Sequence, residues 1–269
     1  MTESVDHFYV SLPCNSSMKY FPDNTITHFT TKLNTPITLD SAENWEVGLA
    51  EFQYPHTWHN INQYNNTFHI FIPVSDTPDP KTGKIPEQWI RCTIPEKNYT
   101  DIREVIRQVN EQIQNALKVA EQDDNFNFYY DENKHKVTYH VPDHRMILLK
   151  RPLTKMFGFI QDDVGLQTGG EAPNKVHFNG DYSDLYIYSD VIQYRLVGDV
   201  STPLLRAIAT EGEYGNTIRK SFQNIHYAPV SKSSFETIEI DIRTDTGDSI
   251  PFVVGRVDAV LHFRRKTKK

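Results

Sequence analysis

Eleven histidines raise the question of a metal site. His56 and His59 make an H-x-x-H pair within YPHTWHNI, but Pro55 and Asn60 mark a loop, and no third ligand stands at a metal-like spacing. They read as surface or interface histidines. His135, His140 and His144 lie on or after an expected hairpin; positions 135 and 140 differ by an odd number, so on a strand they point to opposite faces and share no ion. Asp241, Asp245 and Asp248 bracket a turn without the ordered oxygen ligands of an EF-hand, which favours turn chemistry over calcium.

Gly165 and Gly170 in GLQTGGEA have the Walker A separation, yet Glu171 and Ala172 stand where that loop needs Lys and then Ser or Thr. A carboxylate there repels phosphate, so nucleotide hydrolysis is rejected and a flexible glycine loop expected. No G-x-S-x-G elbow occurs, and neither Cys14 nor Cys92 has a histidine beside it in sequence to activate a thiolate. Asp123 with Asp124, and Asp162 with Asp163, are adjacent pairs of the kind that loops use for hydration. No catalytic constellation emerges, no cofactor is implied, and an enzyme is not expected.

The 28 basic and 35 acidic side chains among 269 residues leave a net charge of −7. Five basic residues fall within the last six, so the rest carries 23 against 35. A body that acidic repels a phosphate backbone, which confines any nucleic-acid contact to Arg264, Arg265, Lys266, Lys268 and Lys269. The alternative is a frayed, solvated terminus. No apolar run reaches the roughly 18 residues a bilayer crossing needs. The opening MTESVDHFYV lacks the charged and apolar regions of a signal peptide, so reduced thiols in a non-secreted protein are expected.

The elements that position these residues are mostly short strands. Ile238, Ile240 and Ile242 alternate with charged residues, as do Val257, Ala259, Leu261 and Phe263 with Asp258 and His262, giving strands with one buried face. TDTGDS at 244 to 249 reads as a tight reversal that would make these strands hairpin neighbours. Further strands are expected at 25–33, 45–54, 67–74, 88–94, 184–194 and 203–210. The middle changes period: from Asp101, with Glu104 completing a capping box, Ile102, Val105, Ile106, Val109, Ile113, Ala116, Leu117 and Ala120 predict an amphipathic helix of about five turns. A hairpin over FNFYYDENKHKVTYHV, a small helix in LTKMFGFI after Pro152, and a loop from Gln161 to Gly180 follow.

Four strands before a large insertion and four after it predict a mainly β chain: a single eight-stranded antiparallel jelly roll, a two-sheet sandwich, with an α+β insertion. Residues 1–95 and 181–269 would form its halves and 96–180 the insertion. The Cys, Trp, Cys arrangement of an immunoglobulin sandwich is missing, and no fixed-period repeat supports a propeller or solenoid.

Aromatic surface remains. Tyr182, Tyr186, Tyr188 and Tyr194 cluster in DYSDLYIYSDVIQY, with Tyr186 and Tyr188 on the strand face opposite Leu185 and Ile187. If exposed, that row suits a protein interface; the alternative is cover on both faces. Trp58 joins them as a candidate interface residue. The stretch 73–88, with four prolines, reads as a long connection or a partner-binding loop.

FYVSLPCNSSMKYFPDNTITHFTTKLNTPITL followed by WEVGLAEFQYPHTWHNI resembles the minor capsid (penton) proteins of Polintons, or Mavericks, and of related adintoviruses. YSDVIQYRLVGDVSTPLLRAI and the ending PFVVGRVDAVLHFRR extend the resemblance, as do the middle helix, hairpin and LTKMFGF, over nearly the whole chain. It implies an upright jelly roll, a homopentamer at the fivefold vertices of an icosahedral capsid, contact with a double jelly-roll major capsid protein, a virion location, and a basic tail facing packaged double-stranded DNA. The competing readings are a capsid cement protein and a cellular lectin-like or cytokine-like sandwich. A cupin-type enzyme would need a histidine-rich metal motif on its strands, which is lacking.

Overall fold

The structure, a computed structural model, describes residues 6–63, 65–74, 77–83, 86–177 and 182–266. The chain divides into two compact units, one formed by Met1–Trp58 with Tyr182–Lys269 and the other by His59–Asp181. The first opens with β1 (His7–Pro13), β2 (His28–Thr38) and β3 (Trp45–Pro55). The second holds β4 (Thr67–Pro73), β5 (Glu87–Thr93), α1 (Ile102–Val119), β6 (Asn127–Asp131), β7 (Lys136–His140), β8 (Met146–Lys150), α2 (Leu153–Phe157), β9 (Asp163–Leu166) and β10 (Gly170–Glu171). The first then resumes with β11 (Asp184–Ser189), β12 (Arg195–Val197), β13 (Val200–Thr202), β14 (Leu204–Ala209), β15 (Thr217–Ser221), β16 (Ala228–Pro229), β17 (Ser234–Arg243) and β18 (Asp258–Arg265).

In the first unit the alternating apolar residues bury as one core between two antiparallel sheets. One sheet runs β1-β18-β3-β15, with β16 also on β3; the other runs β14-β11-β17-β2. Apart from the short β12, β13 and β16, eight strands in these two orders make a jelly roll. Ile238, Ile240 and Ile242 from one sheet meet Val47, Leu261 and Phe263 from the other, all fully buried. In β3 the buried parity switches from Val47 and Leu49 to Phe52 and Tyr54. The ladder to β18 shifts register there: Val260 pairs with Glu51 and Leu261 with Leu49, so Ala50 is the extra residue of a bulge.

Several expectations need correction. The TDTGDS reversal forms, with Thr244 N–H donating to the Asp248 carbonyl at 2.8 Å and Gly247 at φ 88°. The strands around it are not hairpin neighbours, because β17 pairs with β11 and β2 while β18 pairs with β1 and β3. The expected strands at 67–74 and 88–94 are β4 and β5 of the second unit, not jelly-roll strands, so that unit begins at His59 rather than near residue 96. Their places in the jelly roll belong to β1 and β15. The expected glycine loop is partly sheet: Gly165 lies in β9 and Gly170 in β10. A Cβ at Gly170 would stand 2.5 Å from Tyr139 Oη and 2.8 Å from its Cζ, so that tyrosine packs closely over this glycine, whereas a Cβ at Gly165 would meet only the flexible Met146 side chain, at 2.9 Å.

The second unit has its own core. α1 buries Ile102, Val105, Ile106, Val109, Ile113 and Leu117 along one stripe. Its N-cap is Asp101, whose carboxylate accepts from Arg103 N–H at 2.9 Å, while Glu104 pairs with Lys97 at 2.8 Å. Phe128 and Val137 from the β6–β7 hairpin and Phe157 from α2 complete this core with the sheet β5-β4-β8-β9.

Candidate functional site

β11 places Leu185 and Ile187 in the jelly-roll core and leaves Tyr186 and Tyr188 half-buried on the outer face. There Tyr186 pairs in register with Arg243, and Tyr188 with Asp241. Arg243 Nε donates to Asp241 Oδ2 at 2.6 Å, and the same guanidinium reaches the Gly247 carbonyl at 2.8 Å. An open groove of ≈ 470 Å³ follows, lined by Tyr188, Asp190, Tyr194, Glu239, Asp241 and Arg243, with Ser189 and Thr202 also contributing. Burial, then the Tyr186 hydroxyl, pushes the Tyr188 hydroxyl above its ordinary pKa. Ser189 Oγ and Asp241 Oδ1 are buried with no hydrogen-bond partner among the described residues.

Tyr194 is 71% exposed and starts the β12–β13 hairpin, where Leu196 is 82% and Val200 54% exposed. Sequence reasoning missed this hairpin. The Gly198–Asp199 turn between two short runs was the available signal, with Gly198 at φ 62°. Tyr182 is half-buried and packs on the core near Trp58. Trp58 itself is only 3% exposed, its ring enclosed by His56, Tyr54 and Phe252, so it is a core residue rather than a contact surface.

The basic end is also different from a loose tail. Arg264 and Arg265 are the last residues of β18. Arg264 Nε pairs with Glu46 at 2.7 Å and the guanidinium lies 3.5 Å from the Tyr227 ring centroid. Arg265 pairs with Asp40 at 2.8 Å. The hydrogen bond from Trp45 Nε1, then that from Arg265, holds the Asp40 carboxyl well below the usual carboxylate range. Lys266 follows the strand and is exposed; Lys268 and Lys269 lie outside the described residues.

The histidines do not converge. His56 Nδ1 lies 3.2 Å from the Glu211 carbonyl, His135 sits in a turn at φ 56°, and among the described residues no group of three or more His, Cys, Asp or Glu side chains could hold a metal ion. Cys14 and Cys92 are buried free thiols, and burial pushes Cys92 up to about 12.

A second aromatic cluster, unnoticed in the sequence, covers the outer face of the other sheet. Tyr9 stacks on His262 at 4.3 Å, His7 meets the same ring edge-on at 5.4 Å, and Tyr227 Oη lies 2.7 Å from His262 Nδ1. His262 Nε2 is buried without a hydrogen-bond partner among the described residues. Burial, then the charges of His7 and Arg264, lowers its pKa from 6.5, so the neutral ring stabilises the fold above that value. That contribution is lost as pH falls through 6.5 toward the lower folded value. We expect the melting temperature to drop between about pH 7 and pH 5, and to drop less in His262→Gln; equal slopes in both proteins would contradict this assignment.

No protein-family model matches the sequence, and no curated protein matches it. Among solved structures, the chain is similar to the crystal structure of the mavirus penton protein, with a TM-score of 0.52, 13% sequence identity, and cover of 97% of this chain and 99% of that one. The antiparallel jelly roll is thus a penton-like fold.

Proposed function

We propose that the chain is a structural capsid protein, the penton subunit of an icosahedral virion. The observation that supports this best is the end-to-end correspondence with the mavirus penton protein, which covers both units. In this reading five copies close a ring at the fivefold vertex and touch a double jelly-roll major capsid protein, and the gene belongs to a Polinton, Maverick or adintovirus-like element. A ring needs two different patches that meet after a fixed rotation. The groove beside Tyr188 and the β12–β13 hairpin supply suitable surface: exposed Leu196 and Val200 on the hairpin, and tyrosines with charged side chains lining the hollow.

Sedimentation tests the reading. The full chain should form a species five times the 31.2 kDa subunit mass. Leu196→Asp should sediment as a monomer with its folding stability changed by less than about 0.5 kcal/mol, since Leu196 is 82% exposed. An unchanged oligomer in this variant would remove the hairpin from the contact, and a stable trimer of the parent chain would favour a cytokine-like sandwich.

A further inference from the structure

The second unit has no role in the reading above, yet its four-stranded sheet ends on an open edge. β5 is terminal in the order β5-β4-β8-β9 and pairs with β4 along its whole length, without a register shift. The register continues beyond both ends, where Val74 N–H donates to the Pro86 carbonyl at 2.6 Å and Ile94 N–H to the Asn66 carbonyl at 3.0 Å. In an antiparallel ladder a residue's N–H and C=O point to the same side, alternating along the strand. Pro86 and Ile94 face β4, so Gln88, Ile90 and Cys92 do as well. The backbone groups of Glu87, Trp89, Arg91 and Thr93 therefore point away from the sheet. Among the described residues they have no backbone partner.

A groove of ≈ 530 Å³ runs beside this edge, with α1 as its far wall. Ile90 on the strand, Ala116 and Val119 on the helix and Ala120 at its C-cap make its apolar surface, and Val119 is 87% exposed. Among the described residues, Arg91 is the one charged residue in the lining. Side chains alternate across the pleat: Ile90 and Cys92 face the helix, while Trp89, 50% exposed beside Phe71, and Arg91 occupy the other face. Arg91 makes no ion pair among the described residues.

We propose that this edge binds an extended segment of another protein, which adds as a fifth strand. The edge from Glu87 to Thr93 spans about 20 Å, enough for six or seven residues. Main-chain hydrogen bonds supply the affinity, and the two faces supply the pattern: apolar side chains at alternate positions enter the groove, and carboxylates between them meet Arg91. A uniformly basic segment is rejected, because Arg91, the charged residue of the lining, is itself basic, and a uniformly charged one is rejected because the rest of the lining offers it no counter-charge.

The test uses the full chain and a capped seven-residue peptide alternating valine and glutamate, with a valine and lysine peptide as its counterpart. Trp45 and Trp58 are 4% and 3% exposed, so a fluorescence change reports Trp89. We expect the acidic peptide to shift that fluorescence and slow amide exchange at Trp89, Arg91 and Thr93, while the basic peptide binds about tenfold more weakly. Arg91→Pro removes an outward N–H and leaves the β4 ladder whole, so melting should be preserved and acidic-peptide binding reduced about tenfold. Arg91→Glu leaves the backbone intact and should invert the order of the two peptides. The proposal is overturned by full binding in Arg91→Pro, by no preference between the peptides, or by no protection at about 1 mM peptide. Amides already slow at these three residues in the peptide-free protein would also overturn it, since a second copy or another part of this chain would then own the edge.

Discussion

Phe263→Ala is expected to cost about 3–5 kcal/mol, the range for truncating a fully buried aromatic. Phe263 lies on β18 and its ring stacks on Phe8 of β1 at 4.9 Å and 4°, and on Phe235 of β17 at 5.7 Å and 24°. It therefore ties two strands of one sheet to the facing sheet, and its loss leaves a cavity that three elements cannot all close. Amide exchange should quicken across the ladders of β3, β17 and β18, with the helix amides of α1 unchanged because their core is separate. Tyr9→Ala, at a side chain 58% exposed, serves as the control and should move stability by far less. A loss below about 1 kcal/mol for Phe263→Ala would mean that the two sheets do not pack as described.

Gly158→Ala should give the mirror result in the second unit. Gly158 ends α2 with φ 92°, its N–H donating to the Lys155 carbonyl at 3.1 Å. A Cβ there would collide with the Asn174 carbonyl, whose carbon stands 2.9 Å away, while Asn174 N–H already donates to the Gly158 carbonyl at 3.0 Å. Left-handed backbone strain and overpacking add to about 2–4 kcal/mol. Exchange should accelerate by about thirtyfold or more at α2 and β8, and the jelly-roll ladders should keep their protection. Acceleration confined to the jelly roll would contradict the division into two cores.

The sequence announced the strands whose one face is buried. Alternation in 238–242 and 257–263 places β17 and β18, and the 3.6-residue stripe places α1 almost to the residue. It also held a signal that was not used: the apolar parity of Val47 and Leu49 against Phe52 and Tyr54 marks the β3 bulge. β15 was illegible for a physical reason. It is a sheet edge with Arg219 and Lys220 beside the lone aliphatic Ile218, held to β3 by backbone pairing, so no side-chain period betrays it. The sheet partners of β17 and β18 were equally hidden, since a tight turn between two strands looks the same whether the chain returns to its own sheet or crosses to the other.

The surfaces were legible in part. Alternation alone separated Tyr186 and Tyr188 from Leu185 and Ile187, because a strand with one buried face must present the other. Trp58 was misjudged, as a loop tryptophan gives no local sign of the distant residues, Phe252 and Tyr182, that enclose it. The groove, the His262 cluster and the open edge of β5 all depend on residues brought together from far along the chain, and composition carries no trace of them.

Electron microscopy of the purified full-length chain bears most directly on the capsid reading. Ring-shaped particles whose class averages show fivefold rotational symmetry are the expected result, and particles with threefold symmetry would contradict it.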